Sequence, residues 1–105
     1  VITSAQNMGL TTIRRGHATQ NLGNGKQSIL RYYDILPTNN SSLNATLRFN
    51  YLDPELNNQS EADLNLWKTE DNINWTVQGY SSRNAASNYV EKQNINSCLN
   101  SVSKT

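Results

Sequence analysis

The chain has 105 residues, of which 35% are hydrophobic and 16% charged, and its formal net charge is +1. A chain of this length forms one domain, or a piece of one, with a modest core. A charge near zero gives no long-range field to attract nucleic acid. The single cysteine, Cys98, excludes an internal disulfide, and no apolar run is long enough to span a bilayer. These numbers exclude a disulfide-stapled miniprotein and argue against a nucleic-acid-binding or membrane-spanning role.

The first third of the chain is predicted to contain strands separated by polar turns. Residues 1–10 indicate a short strand that enters a turn near Gly9, and residues 11–19 are β-branched and polar in the manner of a strand. Residues 20–27 carry two glycines and two asparagines, which suit a turn that needs positive φ. Residues 28–36 are partly apolar on both faces, which predicts a strand covered on both sides.

The clearest strand signal lies at residues 43–52, where apolar and polar residues alternate. Successive side chains of a strand point to opposite faces, so this pattern indicates one buried face and one wet face. Further strands are predicted at 62–69, 73–80 and 88–95, with polar turns between them. The residues predicted to form the core are Leu43, Ala45, Leu47, Phe49, Ile73, Trp75 and Val77.

Six to eight short strands, with turns about every ten residues, predict an all-β fold. The architecture expected is an antiparallel β-sandwich of jelly-roll type, with residues 1–105 forming a single module. No stretch of the sequence sustains a helical period, and no internal repeat or domain boundary is visible.

Four segments of the chain are similar to a known kind of module. They are Ser-Ile-Leu-Arg-Tyr-Tyr-Asp-Ile at 28–35, Leu-Asn-Ala-Thr-Leu-Arg-Phe at 43–49, the stretch 51–57, and the stretch 66–75. Together they resemble a β-rich module of large secreted and cell-surface proteins of Bacteroidota, which often end in a sorting domain for type IX secretion. The resemblance covers residues 12–96. It implies an extracellular location and a non-catalytic adhesive or architectural role within a larger surface protein.

The end of the chain departs from that pattern. Related sequences continue after residue 97 into a final strand with an Arg-Trp pair, whereas this chain reads Cys-Leu-Asn-Ser-Val-Ser at 98–103. Residues 97–105 are therefore expected to be an atypical tail, with the last strand altered or supplied by something else. A missing strand leaves an unpaired sheet edge, and such edges recruit partners.

The segment 69–75 resembles a shortened Asp-box hairpin. In such a turn an acidic side chain accepts hydrogen bonds from backbone N–H groups and an aromatic ring packs nearby. Asn72 tolerates the left-handed conformation that the turn requires. Asp71, Asn72 and Trp75 are accordingly expected to hold the turn together rather than to form an active site.

The loop after the clear strand concentrates acidic side chains. Asp53, Glu55, Glu61 and Asp63 offer the oxygen ligands that calcium prefers, although their spacing does not match the helix–loop–helix calcium loop. A solvated loop is the favoured interpretation, and bound calcium is the alternative. Glu55 and Glu61 are also conceivable as the two carboxylates of a glycosidase, but nothing in the sequence places them across a cleft. His17, the single histidine, is expected to form structural hydrogen bonds.

Aromatic side chains give the sequence its candidate ligand surface. Trp67 is predicted to face away from Leu64 and Leu66, and with Tyr80 or Tyr32 nearby its ring is suited to stacking on a sugar. The competing interpretation, which is favoured, places Trp67 in the core or beneath a loop.

The function expected from the sequence is that of a non-enzymatic extracellular module without a required cofactor. Its partners are expected to be neighbouring domains or further copies of the same protein. The first alternative is a carbohydrate-binding module, and the second is a subunit that forms extracellular filaments by exchanging strands between copies.

Overall fold

A computed structural model describes residues 2–97 and 99–105, so that Cys98 lies outside the described residues. The strands of the first half are β1 (Ile2–Thr3), β2 (Thr11–Gly16), β3 (Asn21–Gly23), β4 (Lys26–Gln27), β5 (Tyr32–Pro37) and β6 (Ala45–Asn50). Two short 3-10 helices, η1 (Asp53–Glu55) and η2 (Glu61–Asp63), follow. The remaining strands are β7 (Asn65–Thr69), β8 (Trp75–Gly79), β9 (Ser82–Asn84), β10 (Tyr89–Ile95) and β11 (Asn100–Lys104).

The strands form two antiparallel sheets, which confirms the predicted all-β sandwich. Sheet A has the order β1-β6-β10-β9, and sheet B has the order β2-β5-β11-β7-β8. The strands β3 and β4 form a separate hairpin. In the described part of the chain, seven strands have five or more residues, which agrees with the predicted six to eight. Of the shorter strands, β1 falls in the segment 1–10 that predicts a short strand, whereas β3, β4 and β9 are not predicted, because two or three residues carry no periodic signal.

The core lies between the two sheets, and β6 supplies its centre. Ala45, Leu47 and Phe49 are buried, as the alternation at 43–52 predicts, and Leu43 just before the strand is buried with them. The ring of Tyr33 on β5 meets Phe49 edge-on, with 4.9 Å between ring centroids, and so links sheet B to sheet A. Burying a side chain the size of Leu or Phe stabilises a fold by about 1.5–3 kcal/mol. This strand therefore anchors the sandwich.

Two predicted core residues are not in the core. Ile73 is 77% exposed in the turn before β8, and Val77 is 57% exposed on β8 itself. Trp75 is half-buried. The reason is that β8 is the outermost strand of sheet B. Alternation shows that a strand has an apolar and a polar face, but it does not show whether another part of the chain covers the apolar face. The core is instead completed by Leu64, Leu66, Val90 and Ile95.

The tail forms the middle strand of sheet B. β11 pairs with β5 on one side and with β7 on the other, with Val102 opposite both Tyr32 and Trp67. Ser101, Val102 and Ser103 are fully buried. The chain thus supplies this strand itself, and no unpaired edge arises between β5 and β7.

Candidate functional site

A buried ion pair joins η1 to the segment before β5. The Nε of Arg31 donates to Glu55 Oε2 at 2.8 Å, and the two side chains are only 6% and 9% exposed. The other carboxylate oxygen of Glu55 accepts a hydrogen bond from the backbone N–H of Leu52 at 2.7 Å. His17 approaches Glu55 Oε2 from the surface, with 2.6 Å between Nδ1 and the oxygen. The Glu55 carboxylate is therefore fully engaged by groups of the chain itself.

The charges of this pair stay in place at neutral pH. Burial raises the pKa of Glu55, but the hydrogen bonds from Arg31, from the Leu52 amide and from His17 outweigh it, so that the net pKa is lowered. For Arg31 the signs are reversed. Burial lowers its pKa, but the hydrogen bonds to Glu55 and Tyr33 outweigh that effect, so that the net pKa is raised. A general acid needs a raised pKa, so the shift of Glu55 suits a structural ion pair better than the acid of a glycosidase.

The network continues from Arg31 into the core. Arg31 Nη1 donates to the hydroxyl of Tyr33 at 3.0 Å, and that hydroxyl donates to the backbone carbonyl of Asn50 at 2.8 Å. Because Asn50 ends β6 and Tyr33 lies on β5, the network ties η1 to both sheets. The network is therefore a structural one that holds η1, β5 and β6 together.

The acidic residues predicted to bind calcium are not gathered into one site. Glu61 Oε1 accepts a hydrogen bond from the hydroxyl of buried Tyr51 at 2.9 Å, and Glu55 is engaged by Arg31. Within residues 2–97 and 99–105, no group of three or more His, Cys, Asp or Glu side chains is arranged to hold a metal ion. Calcium binding that involves Asp53 and Asp63 stays a prediction which this geometry does not support.

Asp71 lies at the centre of the turn between β7 and β8. Its Oδ1 accepts hydrogen bonds from the backbone N–H groups of Ile73 at 2.9 Å and Asn74 at 2.8 Å, and from the hydroxyl of Thr69 at 2.9 Å. These bonds, together with one from the Asn74 side chain to Oδ2, lower the pKa of Asp71 well below its usual range. Asn72 has a φ of 61°, in the left-handed region. The carboxylate thus fixes the shape of the hairpin.

The three aromatic residues predicted to bind a sugar do not form one platform. Tyr32 and Trp67 share a face of sheet B, because both lie opposite Val102. However, the Lys26 ammonium lies 5.7 Å from the centroid of the Trp67 ring, and the buried Trp67 Nε1 has no hydrogen-bond partner. Tyr80 stacks instead against the Arg83 guanidinium of sheet A at 3.7 Å. A cationic side chain therefore already lies over the ring of Trp67 and over the ring of Tyr80.

The two edges of sheet B differ in chemistry. At one edge, β2 carries Arg14 and Arg15, both exposed. At the other edge, β8 reads Trp-Thr-Val-Gln-Gly and has no charge and no proline. Within the described sheet β8 pairs only with β7, so that one side of its backbone has no strand partner. Natural proteins usually protect such edges with charges or proline, which makes the β8 edge the candidate interaction site.

Sequence reasoning missed both the ion pair and this edge. Arg31 and Glu55 are 24 residues apart, and no local pattern joins them. The lack of charge at 75–79 is a signal of an open edge, but the apolar alternation in the same segment predicts a core strand.

Comparisons with protein-family models, with curated proteins and with solved structures found no match to this chain. In the part of the chain that the structure describes, no helix has both the length and the apolar character needed to cross a membrane.

Proposed function

We propose that this chain is a non-catalytic, extracellular structural or adhesive module of a larger bacterial surface protein, and that it acts by contacting neighbouring protein surfaces. The observation that carries the proposal is the contrast between its acidic groups and its sheet edge. The carboxylates of Glu55, Glu61 and Asp71 accept hydrogen bonds from groups inside the fold. The backbone of β8, by contrast, has a strand partner on only one side within the described sheet.

The extracellular part of the proposal draws on the sequence. Its resemblance to modules of secreted Bacteroidota proteins implies that location. The abundance of Asn, Ser and Thr gives the chain a polar, hydrogen-bonding surface, which is compatible with that location.

Surface display tests the proposal. Cells that display the chain on an outer-membrane carrier are expected to attach to one another or to a coated surface more than cells displaying the carrier alone. Purified protein is expected to show no turnover on polysaccharides, esters or peptides. Attachment equal to that of the carrier alone would contradict the adhesive role. Turnover that disappears in Glu61→Gln would contradict the non-catalytic assignment.

The carbohydrate-binding alternative receives less support, because cations already occupy the faces of Trp67 and Tyr80. Binding on a glycan array that is lost in Trp67→Ala would reinstate it. The strand-exchange alternative requires a strand to leave its own sheet, which for β11 means giving up pairing on both sides.

A further inference from the structure

The uncharged edge strand β8 is suited to pairing with a copy of itself. Antiparallel pairing of two identical strands about a two-fold axis through Val77 places Val77 opposite the partner's Val77 and Thr76 opposite the partner's Gln78. None of these residues is charged, so no like charges meet. The same symmetry at β2 would bring Arg14 and Arg15 of the two copies together. Charge therefore favours self-pairing at β8 and opposes it at β2.

The ends of β8 fit this register. Trp75 lies opposite the partner's Gly79, and no atom lies within 4 Å of the point that a Cβ on Gly79 would occupy. The incoming indole therefore meets open space, and an aromatic ring over an edge glycine is a favourable cross-strand pair. At the axis, the side chain of Val77, which is 57% exposed in the single chain, packs against its own copy. The contact thus covers apolar surface that the single chain leaves in water.

A contact between unlike edges is less favourable. Four antiparallel steps separate β2 from β8 in sheet B, so the two edges run in the same direction. Copies in the same orientation would then pair β8 with β2 in parallel, which is slightly less stable per residue and builds an open filament. Antiparallel pairing of β8 with β8 instead closes after two copies.

We propose that β8 (Trp75–Gly79) joins two copies of this chain through antiparallel pairing centred on Val77, which makes the two B sheets continuous. This inference rests on the proposed role in protein contacts and names the partner as a second copy. The strand is five residues long, and its pairing with β7 is irregular between Leu66 and Trp67. A contact of this size is weak and transient, so we expect a dissociation constant in the micromolar to millimolar range.

Sedimentation velocity over a wide range of protein concentration tests the proposal. The wild-type chain is expected to shift from monomer to dimer, and Val77→Lys is expected to weaken the dimer at least tenfold, because it places two ammonium groups opposite each other. Ile13→Lys on β2 is the matched control, since Ile13 is 54% exposed against 57% for Val77, and it is expected to dimerise like the wild type.

Charge exchange provides a second, independent measurement. Val77→Asp alone is expected to remain monomeric, and an equimolar mixture of Val77→Lys and Val77→Asp is expected to recover the dimer. Circular dichroism and thermal melts of each variant show whether it is folded. A wild type that stays monomeric at millimolar concentration, a Val77→Lys variant that dimerises normally, or equal loss in Ile13→Lys would each overturn the proposal.

The two proposals fail in different ways. If displayed cells still attach to unlike surfaces while the purified chain stays monomeric, the self-pairing fails and the adhesive function stands. If turnover is found, the proposed function fails whatever the oligomeric state.

Discussion

Replacing Glu55 by Gln tests the claim that the buried ion pair braces the fold. The substitution keeps the side-chain shape and removes the negative charge, so Arg31, whose side chain is 6% exposed, loses its ionic partner in the interior. Either the groups now bound to Oε2, which are Arg31 Nε and His17, or the Leu52 amide bound to Oε1 then face an amide N–H₂ group. The cost combines an uncompensated buried charge with an unsatisfied donor.

Breaking a buried pair in this way costs about 3 kcal/mol, the lower end of the usual range, because His17 at the surface gives water partial access to the site. For a domain of this length, such a loss lowers Tm by roughly 12–24 °C. Urea unfolding followed by the fluorescence of the two tryptophans, Trp67 and Trp75, measures the free energy of unfolding directly.

The matched control is the pair formed by Arg48 and Glu91. Its Nε–Oε1 distance is 2.9 Å, nearly that of the buried pair, but the two side chains are 44% and 19% exposed. Glu91→Gln should cost less than about 1 kcal/mol, as solvent-exposed pairs do. Equal losses in Glu55→Gln and Glu91→Gln would refute the argument that burial sets the difference.

The pH dependence gives a further check on the same pair. The pKa of Glu55 is lowered from its ordinary value of 4.5, so its contribution to stability is present above that pH and is lost as the pH falls through the lower, folded-state pKa. The difference between wild type and Glu55→Gln should therefore be largest near neutral pH and shrink below pH 4.5. A difference that stays constant down to acid pH would show that the carboxylate charge is not responsible.

Two further substitutions follow from the hydrogen bonds of the turns. Tyr51→Phe removes the bond to Glu61 and should cost about 1 kcal/mol in urea unfolding at neutral pH. Because burial and the Glu61 carboxylate raise the pKa of Tyr51, the wild type should lose stability as the pH rises above 10, and Tyr51→Phe should lose less; identical alkaline slopes would contradict this. Asp71→Ala should lower Tm by removing the bonds that shape the β7–β8 turn, whereas Glu70→Ala next to it should leave Tm nearly unchanged. A Tm for Asp71→Ala equal to that of Glu70→Ala would show that the turn forms without the carboxylate.

The sandwich and four of the eleven residues of its buried core cluster follow from the sequence because they depend on local periodicity. Alternation at 43–52 predicts both the strand and its buried face, and the structure buries Ala45, Leu47 and Phe49 accordingly. The same pattern at 73–77 misleads, since an edge strand alternates as a central strand does, and only the sheet order shows that β8 has one neighbour.

The buried ion pair and the central strand depend on relations that local pattern does not contain. The Arg31–Glu55 pair and its link through Tyr33 to β6 arise only when η1 packs against the end of β6 and the start of β5. The central strand β11 was also missed. Ser101 and Ser103 are fully buried there, and because they are polar the tail shows no clear apolar alternation, so that residues 97–105 are expected only to be an atypical tail.

The position of β11 in the middle of sheet B has a consequence for folding. The strands β5 and β7 are synthesised before residues 100–104, yet they are not neighbours in sheet B, because β11 lies between them. Sheet B can therefore become continuous only after β11 has been synthesised. Because pairing across such long sequence separations is slow, we expect the insertion of β11 between β5 and β7 to be a late step of folding.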